Sequence, residues 1–278
     1  MDKIFLMHVH PLVVVLVAVI VLRVILKKFE YANLYHPDER SVYAYPNSIG
    51  LEYKDLYLTT PDGKKINAWY VPAGKQNPLM ILCHGNGGTV SDRLEKIRIY
   101  NSLGVSVLAF DYRGFGKSGG KPSEKGTYLD VETMYNYAVS ELKTAPEKLI
   151  IYGESLGCAV ATELTLKKKA AALIFDSGFT STVDIGNRHF SWLPIRFMVS
   201  YKYDNLAKIA DIHVPVLVMH SLDDELIPFD MARRIFEKAN EPKEFLQMTG
   251  THAAGYLTTG ARYIEKVREF LLKHELIQ

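Results

Sequence analysis

Ser155 is the residue of this sequence best placed to act as a nucleophile. It is the centre of Gly-Glu-Ser-Leu-Gly at 153–157, which follows an apolar run at 149–152 and precedes a helix-forming stretch. The turn between strand and helix is sharp, so the serine takes a strained backbone conformation, and side chains at 153 or 157 would collide with the neighbouring strand or helix. The pattern therefore predicts that the Ser155 hydroxyl projects from the carboxyl edge of a sheet.

A serine nucleophile needs a general base, and the base needs an acid that fixes its tautomer. Of the nine histidines, His252 alone lies in a glycine-flanked loop, Thr-Gly-Thr-His-Ala-Ala-Gly at 249–255, after the last predicted strand. Three carboxylates stand side by side at 223–225, after the strand predicted at 214–219. We predict His252 as the base and Asp224 as the acid, with Asp223 and Asp176 as alternatives for the acid.

A glycine-rich turn, His-Gly-Asn-Gly-Gly at 84–88, follows the first strand of the predicted parallel sheet. Exposed backbone N–H groups in such a turn suit a phosphate or the oxyanion of a tetrahedral intermediate. A dinucleotide site would need a third glycine where Val90 stands, and Gly-Lys-Ser at 116–118 lacks the first glycine of a P-loop. With Ser155 downstream, the predicted oxyanion donors are the backbone N–H groups of Asn86 and Leu156, whereas His84 is interpreted as structural.

The elements that would position these residues alternate between strand and helix patterns. An antiparallel hairpin is predicted at 51–60 and 66–71, and short apolar runs bounded by turn residues follow at 79–83, 105–110, 149–152, 172–175 and 214–219; the last strand is predicted at 245–248. Helix-like segments separate them at 90–103, 123–142, 155–168, 229–239 and 256–274. The pattern predicts an α/β fold with a mostly parallel sheet of about eight strands and helices on both faces.

In the loop at 111–118, Arg113 is interpreted as holding the loop in place through hydrogen bonds to main-chain carbonyls.

Length and composition are typical of a single domain with one large core. The chain has 278 residues, of which 48% are hydrophobic, and its net charge of +2 gives no indication of a nucleic-acid partner. Cys83 and Cys158 lie in apolar stretches, which favours free, buried thiols. No cluster of His, Cys and carboxylates has ligand spacing, so we predict neither a metal nor an organic cofactor.

The amino-terminal stretch is almost wholly apolar from residue 4 to residue 26, and Arg23, Lys27 and Lys28 close it. This pattern predicts an uncleaved single-pass membrane anchor over residues 1–30, followed by the catalytic domain at 31–278; a signal peptide is the alternative. Because the basic end is joined to that domain, we expect the domain to face the cytoplasm. Residues 31–48 are predicted to be a surface connector.

A small cap is predicted at about 178–210, because about 37 residues between two strands are too many for a turn and too few for a domain. The segment is rich in aromatic side chains and poor in charge. Some of these side chains should cover the carboxyl edge of the sheet and accept an acyl chain. Trp192 and Phe197 are the predicted substrate-binding residues.

Taken together, five motifs resemble the α/β-hydrolase superfamily from about residue 50 to the end: His-Gly-Asn-Gly-Gly at 84–88, Asp-Tyr-Arg-Gly-Phe-Gly-Lys-Ser at 111–118, Gly-Glu-Ser-Leu-Gly at 153–157, Asp-Glu-Leu-Ile-Pro at 224–228 and Gly-Thr-His at 250–252. The chain looks most like the membrane-anchored serine hydrolases with a small cap, a group that includes depalmitoylase-like members.

This resemblance implies hydrolysis of a small-molecule or acyl ester or thioester, through an acyl-enzyme on Ser155 with Asp224 as acid and His252 as base. A serine at position 155 disfavours the epoxide hydrolase and dehalogenase branches of the superfamily, which have an aspartate at this position. A peptidase or acyltransferase with the same triad and a non-catalytic binding protein are the alternatives. We infer no obligate protein partner.

Overall fold

The structure is a computed structural model that describes residues 11–37, 42–74 and 77–278. In chain order the strands are β1 (His36–Pro37), β2 (Lys54–Thr59), β3 (Lys65–Val71), β4 (Leu79–Cys83), β5 (Gly87–Gly88), β6 (Ser106–Phe110), β7 (Leu149–Glu154), β8 (Ala172–Asp176), β9 (Val216–Ser221) and β10 (Lys243–Met248). The α-helices are α1 (Pro11–Leu34), α2 (Leu94–Ser102), α3 (Glu124–Ser140), α4 (Leu156–Lys167), α5 (Thr182–His189), α6 (Ile195–Met198), α7 (Asn205–Lys208), α8 (Phe229–Lys238), α9 (Gly255–Thr259) and α10 (Ala261–Lys273).

Eight strands form the main sheet in the order β10-β9-β8-β7-β4-β6-β3-β2. The six strands from β10 to β6 in this order are parallel, and β3 and β2 continue the sheet as an antiparallel hairpin. The predicted α/β architecture is therefore confirmed. After β6 the chain crosses to the other side of β4 to form β7, and at such a switch point the carboxyl ends of the strands open a crevice.

Helices cover both faces of the sheet. Successive residues of β4 point to opposite faces, so that Leu79 and Ile81 pack with α3, α4 and α8, whereas Met80 and Leu82 pack with α2 and α10. All five residues of this strand are buried. A strand buried on both faces is fully apolar, which is why its sequence shows a continuous apolar run without alternation.

The amino-terminal helix α1 differs from the prediction. Among the described residues, no helix is long and apolar enough to cross a membrane. Arg23, Lys27 and Lys28 lie within α1, and charged side chains are costly in hydrocarbon. The membrane-spanning helix predicted at residues 4–26 is thus not supported, although residues 1–10 lie outside the described part. The cytoplasmic orientation, which depended on an anchor, stays a prediction.

The first part of the segment predicted as a surface connector at 31–48 also forms regular secondary structure, whereas residues 38–41 lie outside the described part. Helix α1 continues to Leu34, and β1 pairs in parallel with β5, in the register His36 to Gly87 and Pro37 to Gly88. This places the chain just after α1 beside the glycine-rich turn at 84–88.

Candidate active site

Ser155 lies at the turn between β7 and α4 and has φ 53° and ψ −117°. Few L-residues adopt this conformation, and it persists only where the surroundings require it. A Cβ on Gly153 would lie 2.5 Å from the Gly157 carbonyl oxygen, and one on Gly157 would lie 2.5 Å from the His84 carbonyl oxygen. Both contacts are with backbone atoms that cannot move aside. The steric role predicted for the two glycines is therefore confirmed.

The structure brings the three predicted triad residues into one hydrogen-bonded line. His252 Nε2 lies 3.0 Å from Ser155 Oγ, and His252 Nδ1 lies 2.7 Å from Asp224 Oδ2. An ionised carboxylate only accepts, so Nδ1–H donates to Asp224 and the lone pair of Nε2 faces the serine hydroxyl. The Asp224 side chain is fully buried, whereas the imidazole is slightly exposed. This tautomer is the one that can take a proton from Ser155.

The carboxylates that flank Asp224 have partners of their own. Asp223 Oδ2 accepts a hydrogen bond from the Gly250 N–H at 2.9 Å, and Glu225 Oε2 accepts one from the His252 N–H at 2.9 Å. Both bonds are to the backbone of the loop that carries the imidazole. Of the two neighbouring aspartates between which the sequence could not choose by pattern alone, Asp224 is the one bonded to His252.

His220, the second-last residue of β9, lies on the other side of Asp224. Its Nε2 is 2.8 Å from the Ile227 carbonyl oxygen and 3.2 Å from Asp224 Oδ2, and its side chain is fully buried. Asp224 Oδ1 accepts hydrogen bonds from the N–H groups of Leu226 and Ile227. Contacts other than His252 therefore hold both oxygens of this carboxylate, the backbone N–H groups at Oδ1 and His220 at Oδ2. The sequence shows a histidine four residues before the acid, but its position does not distinguish this role from packing.

The surroundings of the pair shift both pKa values in the directions that a triad needs. Burial lowers the pKa of His252, but the hydrogen bond and charge of Asp224, with the charges of Glu154 and Asp176, outweigh it and raise that pKa. Burial likewise opposes ionisation of Asp224, yet hydrogen bonds from His220 and His252 and the charge of His252 lower its pKa. The site thus combines an ionised carboxylate with an imidazole of enhanced basicity.

The two predicted oxyanion donors lie on segments that flank Ser155. A Cβ on Gly85 would be 3.4 Å from Ser155 Cβ, so the glycine-rich turn at 84–88 lies directly against the nucleophile. Leu156 is the first residue of α4, where backbone N–H groups have no acceptor within the helix. Asn86 lies within the turn, and its carbonyl accepts the His36 N–H at 2.9 Å. The role of both N–H groups as donors stays a prediction.

His84 is the first residue of this turn, and its side chain is fully buried. Its Nδ1 is 2.7 Å from the Gly85 carbonyl oxygen, and its Nε2 is 3.5 Å from Asp111 Oδ1. Burial lowers the pKa of His84 to about 3 and raises the pKa of Asp111 to about 7. A neutral imidazole that donates to the Gly85 carbonyl supports the turn, in agreement with the structural interpretation of this histidine.

A buried ionic cluster surrounds Glu154, the residue before Ser155. Lys96 Nζ lies 2.7 Å from the Tyr152 hydroxyl, 2.8 Å from Glu154 Oε2 and 2.9 Å from Asp176 Oδ2, and Arg93 pairs with Glu154 at 3.1 Å. Burial opposes ionisation of Glu154, but the charges of Arg93 and Lys96 lower its pKa to about 2. Asp176, the remoter alternative for the acid, is thus paired with Lys96 and Tyr152. Sequence reasoning missed this cluster because its members lie far apart in the chain.

Arg113 does not have the role predicted for it. Its guanidinium pairs with two carboxylates, Asp130 at 2.9 Å and Asp62 at 2.7 Å, instead of main-chain carbonyls. Burial opposes its charge, and the hydrogen bonds to both carboxylates raise its pKa. The arginine therefore ties the loop after β6 to α3 and to the β2–β3 turn.

The cap predicted at about 178–210 contains α5, α6 and α7. Trp192 and Phe197 lie on its surface, with 78% and 85% of each side chain exposed. Neither ring contributes to the hydrophobic core, and neither is assembled with the triad. Their assignment as substrate-binding residues stays a prediction.

Exposed leucines lie close in sequence to two of the triad residues. Leu222 and Leu226 flank Asp224 and are 49% and 55% exposed, and Leu257, on α9 after His252, is 54% exposed. Their exposure could not be recognised from the sequence, because an isolated leucine resembles any core residue.

Among the described residues, no group of three or more His, Cys, Asp or Glu side chains is arranged to bind a metal ion.

Known proteins share this fold and sequence pattern. Residues 78–198 match a family model described as alpha/beta hydrolase fold. An uncharacterized protein of Mycobacterium tuberculosis is 35% identical over 221 residues, which cover 78% of this chain and 79% of that protein. A lysophosphatidylserine lipase of Danio rerio is 29% identical over 238 residues, or 71% of this chain and 62% of the lipase. An esterase of Pyrococcus furiosus superimposes with a TM-score of 0.74 at 23% identity, covering 86% of this chain and 98% of the esterase.

Proposed function

The chain belongs to the α/β-hydrolase superfamily, and we propose that it is a serine hydrolase that cleaves carboxylic esters or thioesters. The observation that carries the proposal is the line of two hydrogen bonds, 3.0 Å and 2.7 Å long, from Ser155 through His252 to Asp224. The names of a lipase relative and an esterase neighbour are compatible with it.

The reaction is a two-step acyl transfer. Ser155 Oγ attacks the acyl carbonyl while His252 Nε2 takes its proton, and Asp224 stabilises the imidazolium that forms. The N–H groups of Asn86 and Leu156 donate to the oxyanion of the tetrahedral intermediate. His252 then returns the proton to the leaving alkoxide or thiolate. Water attacks the acyl-enzyme by the same route, which releases the carboxylic acid and restores the hydroxyl.

The substrate we propose carries an apolar acyl chain. Leu222, Leu226 and Leu257 expose apolar surface near the acid and base loops, and Trp192 and Phe197 expose aromatic surface on the cap. Each methylene moved from water to such surface contributes up to about 0.8 kcal/mol. An acyl chain would therefore gain binding energy from side chains that water now contacts.

A panel of substrates tests the proposal. The purified full-length chain is assayed with esters, thioesters and peptide amides that share one acyl group, beside Ser155→Ala. We expect turnover of esters and thioesters that Ser155→Ala abolishes. Turnover of the amides alone would instead assign a peptidase, and no turnover of any of them by the folded chain would overturn the proposal.

A further inference from the structure

The residues at 29–37, which we call the N-terminal arm, contact the cap at one end. The Glu30 carboxylate accepts hydrogen bonds from two consecutive backbone N–H groups of the cap, those of Ser200 at 2.8 Å and Tyr201 at 2.7 Å. The next two N–H groups, of Lys202 and Tyr203, donate to Glu124 at 2.7 Å and 2.9 Å. Four successive amides of the cap are thus bound between α1 on one side and α3 on the other.

Aromatic contacts with the cap continue along the arm from Phe29 to Tyr35. Tyr35 is almost fully buried, and its hydroxyl lies 2.8 Å from the hydroxyl of Tyr203, which lies 3.0 Å from Thr127 Oγ1. The rings of Tyr35 and Tyr201 meet edge to face at 5.5 Å, and those of Phe29 and Phe190 meet at 6.0 Å. The arm therefore packs against the cap from Phe29 to Tyr35, the residue before His36.

The other end of the arm contacts the glycine-rich turn beside the nucleophile. The His36 N–H donates to the Asn86 carbonyl at 2.9 Å, and β1 pairs in register with β5. Asn86 is the residue whose own N–H is the proposed oxyanion donor. The bond from His36 therefore fixes the peptide that directly follows this donor.

The turn needs an external contact because of its composition. Three of its five residues are glycines, and glycine has more conformational freedom to lose than any other residue. An oxyanion hole stabilises the transition state only if its donors are oriented before the reaction. Strand β1 supplies two residues of backbone pairing at this point, from outside the main sheet.

We propose that the N-terminal arm is a positioning element that orders the oxyanion turn and couples its order to the seating of the cap. The arm is short and continuous, so a displacement at Glu30 is transmitted to His36 through the last turn of α1. The proposal rests on the proposed hydrolase function for its kinetic consequence, but the coupling itself is a structural property that can be measured without a substrate.

The first experiment removes only the donor at the loop end. His36→Pro deletes the N–H that Asn86 accepts, whereas the matched variant His36→Ala retains it and deletes only the imidazole. With an acetyl ester, we expect kcat of His36→Pro to fall at least about tenfold below that of His36→Ala, with KM changed less than about threefold, because a displaced donor affects mainly the transition state. Equal kcat values in the two variants would overturn the proposal.

The second experiment tests the coupling from the cap end in the full-length chain. Glu30→Ala removes the acceptor for two cap amides, and Glu30→Gln retains one acceptor oxygen. Amide hydrogen exchange, followed by mass spectrometry, should become faster in Glu30→Ala both at 200–203 and at 85–88, with Glu30→Gln intermediate. Faster exchange at 200–203 alone would show that the arm does not couple the two segments. A wild-type chain inert towards esters would defeat the proposed function, while these exchange rates would still decide the coupling.

Discussion

At the candidate active site, three consecutive carboxylates have three different partners. Asp224 bonds to the imidazole of His252, whereas Asp223 and Glu225 bond to backbone N–H groups of the loop that carries it. The acid is thus distinguished from its neighbours by what it contacts and not by its residue type. All three carboxylates accept hydrogen bonds from the loop after β10, which carries His252.

Exchanging carboxylates for amides separates these roles. Asp224→Asn should reduce kcat by about 10⁴-fold, because an amide at this position favours the wrong tautomer of the base. In the matched variant Asp223→Asn, an amide oxygen can still accept the Gly250 N–H, so we expect a loss below about tenfold. Steady-state kinetics with one ester checks both. If kcat fell further in Asp223→Asn than in Asp224→Asn, the assignment of the acid would be wrong.

The raised pKa of His252 predicts the acidic limb of the pH profile. The base must be neutral to accept a proton, so kcat/KM should fall as the pH falls through a pKa above the ordinary value of about 6.5. Glu154→Gln removes a negative charge that stabilises the imidazolium, which lowers the pKa of His252 and should move this limb to lower pH. The profiles of kcat/KM from pH 5 to 9 measure the displacement. A limb that moved to higher pH would contradict the electrostatic account.

At the scale of the elements, the patterns that repeat were predictable and the isolated contacts were not. Short apolar runs predicted the five parallel strands from β9 to β6, since a strand covered on both faces is almost wholly apolar, whereas alternation and a turn predicted the β2–β3 hairpin. Strand β1 has two residues, and its pairing with β5 leaves no periodicity in the sequence. The end of α1 was missed for a similar reason, because residues 31–34 show no helical periodicity in the sequence.

The close backbone contacts of Gly153 and Gly157 lead to a prediction about the stability of the fold. Gly157→Ala would place a methyl group under 3.0 Å from the backbone carbonyls of Cys83 and His84, which cannot rotate away. We expect a loss of about 3 kcal/mol or more in the free energy of unfolding. Gly119→Ala is the matched control, because its Cβ would lie 3.6 Å from the nearest carbonyl oxygen. Denaturant titration compares the two, and equal stabilities would refute the steric account.

At the scale of the whole molecule, the arm contacts both the cap and the glycine-rich turn that follows β4. The glycine-rich turn and Ser155 follow the carboxyl ends of β4 and β7, and the loops after β9 and β10 carry Asp224 and His252. The cap lies between β8 and β9 in the chain and contacts α1 through Glu30.

This arrangement predicts how the rate depends on acyl length. The value of kcat/KM should rise from acetyl to medium-chain esters, since each buried methylene contributes up to about 0.8 kcal/mol. Trp192→Ala should flatten that rise more than it slows cleavage of the acetyl ester. Leu166→Ala, an exposed position at the far end of α4 from Ser155, is the control and should leave the rise intact. A steady fall beyond two to four carbons would indicate an esterase for small esters instead.

The central claim is that Ser155 is an activated nucleophile, and covalent capture tests it most directly. The folded full-length chain is incubated with a fluorophosphonate, and the modified peptide is identified by mass spectrometry. We predict a single adduct on Ser155 that is absent from Ser155→Ala and greatly slowed in His252→Ala, because the hydroxyl is a weak nucleophile without its base. A wild-type chain that stays unmodified, or that is modified at another residue, would contradict this account.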